Sequence, residues 1–115
     1  MTQTELYQAL KALGMPVAYS EFKVGPGNPA PEPPFITYHV ADASAYGSDD
    51  RNEIKRTGYL IELYTIHKDP ASQQLVESML DAKGIPYQVY ETPIESENLY
   101  QAAYHIEFTT KIRRG

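Results

Sequence analysis

GIPYQVYETPIESENLYQAAYHIEF, residues 84 to 108, decides how this chain folds. Tyr100, Ala102, Tyr104, Ile106 and Phe108 alternate with Gln101, Ala103, His105 and Glu107. A strand places successive side chains on opposite faces, so this period of two reads as a strand with one buried side. Gln88 to Ile94 reads as the preceding strand, and the two are joined by an acidic turn. Pro93 cannot donate to a ladder, which puts that strand at a sheet edge or a bulge.

Upstream, Asp69 is a good helix N-cap and Pro70 suits the first helical position. Leu75, Val76, Met79 and Leu80 supply an apolar stripe. Gly84 and Pro86 end the helix. Before it, Arg56 to His67 is rich in β-formers. Tyr59, Ile61 and Leu63 share one face, and Leu60, Tyr64 and Ile66 share the other, interrupted by Glu62. Apolar residues on both faces predict a central or doubly covered strand.

Phe35 to Ala41 alternates cleanly and predicts another strand. Between these two strands, Ser44 to Asn52 (SAYGSDDRN) reads as a polar loop turning at Gly47, Asp49 and Asp50. Gly25 to Pro34 holds two glycines and five prolines. Proline removes backbone donors, so this segment is a loop or extended arm outside any central sheet, mobile in the isolated subunit.

At the N-terminus, Thr2 with Glu5 has capping-box spacing. Leu6, Leu10 and Leu13 fall on one helical face, Gly14 and Pro16 stop the helix, and a short strand is expected over Val17 to Phe22. LKALGMPVAY (10–19) and LDAKGIPYQVY (80–90) echo one another. One turn chemistry used twice accounts for this better than a true repeat. The expected fold is α+β in the order α-β-β-β-α-β-β. It is a mainly antiparallel sheet of about five strands with two helices packed on it, in one domain over residues 1–115.

The chain has 115 residues and 42% hydrophobic content, inside the globular range. It has no cysteine, which removes disulfide and thiol chemistry. No apolar run approaches the ~20 residues needed to span a bilayer, and Met1 to Leu10 lacks the pattern of a signal peptide. A cytoplasmic site of synthesis is expected. The net charge of −5 weighs against a dedicated nucleic-acid binder, and Lys111, Arg113 and Arg114 read as a solvated tail. Ten tyrosines and three phenylalanines, with no tryptophan, suit half-buried strands and contact surfaces.

Candidate chemistry is thin. His39, His67 and His105 read as solvent-facing strand residues, because a zinc site needs three or four convergent ligands. Glu91, Glu95 and Glu97 read as a solvated hairpin tip, ionised and unperturbed. Gly25-Pro26-Gly27 lacks the lysine and helix of a phosphate loop, and no serine lies in a nucleophile-elbow context. No catalytic residue, metal or cofactor is assigned.

LIELYTIHKDP, GIPY and YETPIESENLYQAAYHIEF together resemble the small tail-terminator and head–tail completion proteins of long-tailed bacterial viruses. The resemblance covers roughly residues 35 to 108 and, more loosely, the first helix. It implies a non-enzymatic subunit of a ring, hexameric on the tail, that caps the tail tube and meets the head connector. The implied partners are other copies of itself, the major tail protein and the head connector or head-closure protein, with DNA only in transit and no membrane. The implied location is the host cytoplasm during assembly and then the virion head–tail junction. A head-closure protein of the same connector and a small prophage-encoded binding module remain as alternatives. The two long loops and the hairpin would provide the contacts, through Pro26, Asn28, Pro33, Tyr46, Asp49, Asp50, Arg51, Ile94 and Glu95.

Overall fold

The structure, a computed structural model, describes residues 1–47 and 52–113. Helix α1 spans Gln3–Lys11. Thr2 Oγ1 accepts from the Glu5 amide at 3.1 Å, and Glu5 Oε1 accepts from the Thr2 amide at 3.0 Å, which completes the capping box. Leu6 and Leu10 are fully buried. The helix stops two residues before Leu13, where the amides of Leu13 and Gly14 bond to the carbonyls three residues back.

Strand β1 is only Val17–Tyr19, shorter than expected. Ser20 adopts a left-handed φ of 67° and turns the chain away. Strand β2 is Phe35–Gly47 and β3 is Asn52–Thr65. Helix α2 is Pro70–Ala82, β4 is Gln88–Ile94 and β5 is Leu99–Arg113. A single 3-10 turn at Glu95–Glu97, closed by Asn98 at φ 53°, forms the acidic connection between β4 and β5. The sheet order is β1-β2-β3-β5-β4. Every pair is antiparallel except β1 with β2, which run parallel. The fold is therefore α+β with a five-stranded mixed sheet, and Pro93 lies on an edge strand as its chemistry requires.

Two expectations need correction. Ser44 to Gly47 belongs to β2 and Asn52 to β3, so these residues of the polar stretch are ladder and not loop, and the turn expected at Asp49 and Asp50 lies outside the described residues. Pairing on both sides of β3 outweighs the poor strand propensity of these residues. Leu75 leaves the expected apolar stripe and is 46% exposed, while Val76 and Leu80 are fully buried and Met79 packs against the core. Ser72 and Gln73 occupy the buried side in its place, because positions 72, 73, 76 and 80 share one helical face.

Gly84 ends α2 in a Schellman arrangement. Its amide donates to Asp81 O at 3.0 Å, and the Ile85 amide donates to Leu80 O at 2.9 Å. Its φ of +68° is the reason for a glycine there. The end of α1 shares the glycine bond, Gly14 amide to Lys11 O at 3.2 Å, but shows no counterpart of the Ile85–Leu80 bond, so the echo between residues 10–19 and 80–90 is partial.

One core joins both helices to one sheet face: Leu6, Leu10, Ile36, Ile61, Leu63, Val76, Leu80, Tyr104 and Ile106. Among the described residues, no helix or second sheet covers the opposite face. Leu60, Glu62 and Tyr64 on it are half-buried, so β3 is central but covered on one side only. Beyond Val40, Gly58 and Ile106, strands β2, β3 and β5 continue as a three-stranded arm. Ala41, Asp42, Ala43, Ala45, Ile54 and Lys55 in it are exposed. The longest dimension of the molecule is 52 Å, against 32 and 25 Å.

Candidate functional site

The pleat of the open sheet face lines up polar side chains in rows. In one row Thr37 pairs with Glu62 and Glu62 with Ala103; in the next, Phe35 pairs with Tyr64 and Tyr64 with Gln101. Glu62 is the centre of these rows. It accepts from the Tyr64 hydroxyl at 3.1 Å, from Gln101 Nε2 at 2.6 Å and from Thr37 Oγ1 at 3.5 Å. His39 Nδ1 lies 3.4 Å from Glu62 Oε1. His39 is thus in contact with this carboxylate as well as partly exposed. His39 and His105 both flank Leu60 across the sheet, whereas His67 lies beyond the end of β3. Burial pushes the Tyr64 hydroxyl pKa up, with Glu62 adding to it.

At the base of the arm Arg56 clamps three strands. Its guanidinium donates to Glu107 Oε1 at 2.5 Å and to Ser44 Oγ at 3.2 Å, and lies 3.8 Å from Asp42 Oδ1. Gly58 lies under the Asp42 carboxylate: a Cβ there would meet Asp42 Oδ1 at 2.1 Å. The register shifts between Val40 and Asp42, directly opposite. That shift is a β-bulge.

On the helical side, Glu91 is exposed as expected, but its carboxylate is not unperturbed. It accepts hydrogen bonds from Lys68 Nζ, from Gln73 Nε2 at 3.0 Å and from the Tyr100 hydroxyl at 2.9 Å. These donors, Lys68 foremost, lower its pKa to about 2. Glu95 and Glu97 are exposed, as a hairpin tip requires. Nearby, the wholly buried Tyr104 donates its hydroxyl to Glu77 Oε2 at 2.8 Å, and Tyr87 donates to Glu77 Oε1 at 3.3 Å. Burial, and then Glu77, push the Tyr104 hydroxyl far up.

The expected contact residues separate into two groups. Pro26 and Asn28 lie in the exposed crossover between β1 and β2, which then runs to Pro33. Gly25 and Asn28 exchange backbone hydrogen bonds of 3.0 and 2.9 Å around Pro26-Gly27, a tight turn with Gly27 at φ +74°. Pro33 borders an open cleft with residues 65 to 69, and Glu95 borders the adjoining one with Ile66, His67 and Lys68. Crossover, β3–α2 connection and β4–β5 turn, which includes the half-buried Ile94, therefore share one end. Tyr46 belongs to the arm at the other end, and its side chain is outside what the structure describes, as are Asp49, Asp50 and Arg51.

The sequence pattern does not single out Glu62, Glu77, Gln73 or Arg56. Apart from Tyr64 beside Glu62, their partners are 10 to 51 residues away, and no local signal marks such pairings. Among the described residues, no group of three or more His, Asp or Glu side chains is placed to hold a metal ion, and no helix is long and apolar enough to cross a membrane. Compared with known proteins, the chain matches no protein-family model and no curated sequence.

Proposed function

We propose that this chain is a structural subunit of a phage virion. It closes into a ring on the end of the tail tube and joins the tail to the head. The observation that carries the reading is the division of the molecule into a helix-covered body and an uncovered three-stranded arm, with exposed loops at the end opposite the arm. A subunit with dissimilar surfaces at its two ends makes head-to-tail contacts. Such contacts close into a ring when the rotation per subunit divides the circle.

The resemblance of residues 35 to 108 to tail-terminator proteins supports the same reading. So does the net charge of −5, since an acidic channel repels phosphate and lets DNA pass without sticking. The proposed partners are further copies of the chain, in a hexamer on the tail, with the major tail protein on one side and the head connector on the other. Free subunits stay monomeric when the tube end supplies the template, because ordering exposed loops opposes assembly in solution.

The test is a phage lacking the gene. It is expected to accumulate DNA-filled heads and unjoined tails of abnormal length. Unjoined tails of normal length would favour the head-closure alternative, and normal infectious particles would overturn the assignment.

A further inference from the structure

The two ends of the molecule carry opposite charge. The three connections at the loop end, residues 20–34, 66–69 and 95–98, hold five acids and two lysines, a net −3. Beyond the Arg56 clamp, residues 43–55 and 108–115 hold five basic residues and three acids, a net +2 within a chain of −5. Lys111 and Arg113, expected in a solvated tail, are ladder residues of β5. Opposite charges at the two ends of one chain favour contact between copies in head-to-tail order and oppose contact between like ends.

The loop end is also shaped to receive a protrusion. Ile66, His67 and Lys68 line two open clefts of about 250 and 480 Å³, with Pro33 and Pro34 in one and Pro93 and Tyr100 in the other. Ile66 is 57% exposed there. A small-molecule site encloses most of its ligand, so clefts this open suit a protruding protein surface better. The connection that lines both is braced before anything binds. Thr65 Oγ1 donates to the His67 carbonyl, Lys68 Nζ donates to Glu91, and Asp69 Oδ1 accepts from the Ser72 amide at 3.1 Å. Lys68 is thereby engaged. Glu32, Glu95 and Glu97 are exposed and enter no ion pair among the described residues. An apolar centre with a charged rim is the anatomy of a protein interface.

The arm has the complementary pattern. Ile54 is 42% exposed on β3, and its ladder neighbours are Tyr46 on β2 and Lys111 on β5. Lys55 beside it is exposed. Ile54 cannot meet Ile66 of its own subunit, because twelve residues of mostly extended chain hold them ~40 Å apart at about 3.3 Å each. We infer that the arm of one copy seats on the Ile66 clefts of the next, Ile54 against Ile66, with the basic end of β5 toward Glu95 and Glu97. This contact is the head-to-tail interface, and the inference rests on the ring reading given above.

The chain has no cysteine, so introduced thiols report the contact without background. Ile54→Cys and Ile66→Cys each replace an exposed side chain and are expected to fold. On tail tubes under mild oxidation, a mixture of the two variants is expected to give disulfide-linked dimers, and either variant alone none, since a disulfide needs Cα atoms within about 7 Å. Adding Glu95→Lys/Glu97→Lys to the Ile66→Cys chain is expected to slow linkage about tenfold at low salt. Adding Lys111→Glu/Arg113→Glu to the Ile54→Cys chain is expected to restore it. No dimers from the mixture, dimers from one variant alone, linkage of Ile66→Cys to a tail-tube protein instead, or no rescue by the charge swap would overturn the inference. Tubes capped normally by rings that show no such linkage remove the contact and spare the ring. Linkage in concentrated solution, with a native chain that never assembles on tubes, retains the contact and removes the ring.

Discussion

From Phe35 to Val40, strand β2 gives Ile36 and Tyr38 to the core shared with the helices; from Asp42 to Gly47 none of its described side chains belongs to that core. Strands β3 and β5 divide at the same level. In the body, one face of each strand carries large apolar residues: Ile36, Tyr38, Ile61, Leu63, Tyr104 and Ile106, all buried. In the arm, the equivalent positions of β2 are Ala43 and Ala45, and β3 presents Thr57 and Lys55. The ladder continues unbroken between β3 and β5, yet among the described arm residues only Phe108, opposite Thr57 at the arm's base, still belongs to the core. Backbone pairing is thus enough to extend a sheet that a core has already nucleated, and side-chain burial is what anchors it.

The sharpest test of that difference is Leu80→Ala. Leu80 is fully buried and its carbonyl closes the end of α2. A loss of about 2–5 kcal/mol is expected in urea unfolding, from the missing contacts and the cavity left behind. Arm and body amides should lose protection together, because the arm has no core of its own. An arm that kept its protection while the body melted would break the comparison.

Acid should act on the body before the arm. The lowered pKa of Glu91, about 2, means that its carboxylate is more stable in the folded chain than in the unfolded one. The stabilisation is present above the ordinary carboxylate range and is lost as pH falls from about 4.5 toward about 2. In Glu91→Gln the urea midpoint should be lower at neutral pH and change less over that interval. Equal slopes for the two proteins would show that the Lys68, Gln73 and Tyr100 contacts do not favour the ionised form.

Arg56→Met removes the clamp on Ser44, Glu107 and Asp42. These are partly exposed contacts, worth about 1 kcal/mol or less. Faster hydrogen exchange is expected at the described arm amides, with the global unfolding midpoint nearly unchanged. The smallest effect belongs to Leu75→Lys, expected within about 0.5 kcal/mol of the native chain because the side chain faces water.

How much of this was legible in the sequence follows the range of the interactions. The alternation of residues 99 to 108, the cap at Asp69 and the glycine at 84 each carry a local physical signal, and each element appears where that signal puts it. The arm was hidden because Ser44, Gly47 and Asn52 are turn-formers whose strand state depends on neighbours in the ladder. Leu75 misled because it adjoins Val76 in sequence, while adjacent helical residues stand ~100° apart around the axis. The parallel pairing of β1 rests on three residues, too few for any period to show. Of the expected contact residues, Pro26 and Asn28 are exposed and the hairpin group lies at the same end of the molecule as their crossover.

One level of the sheet combines two features that bend strands, the bulge after Val40 and Gly58 opposite it. A bulge adds local twist, and a glycine has no side chain to brace against its neighbours. The arm beyond is a lever ~20 Å long, from about six residues at 3.3 Å each. A pull on its tip therefore becomes torque at that level, where Asp42 and Arg56 sit. A pair of distance labels on the body and on Ala45 would read whether the angle changes.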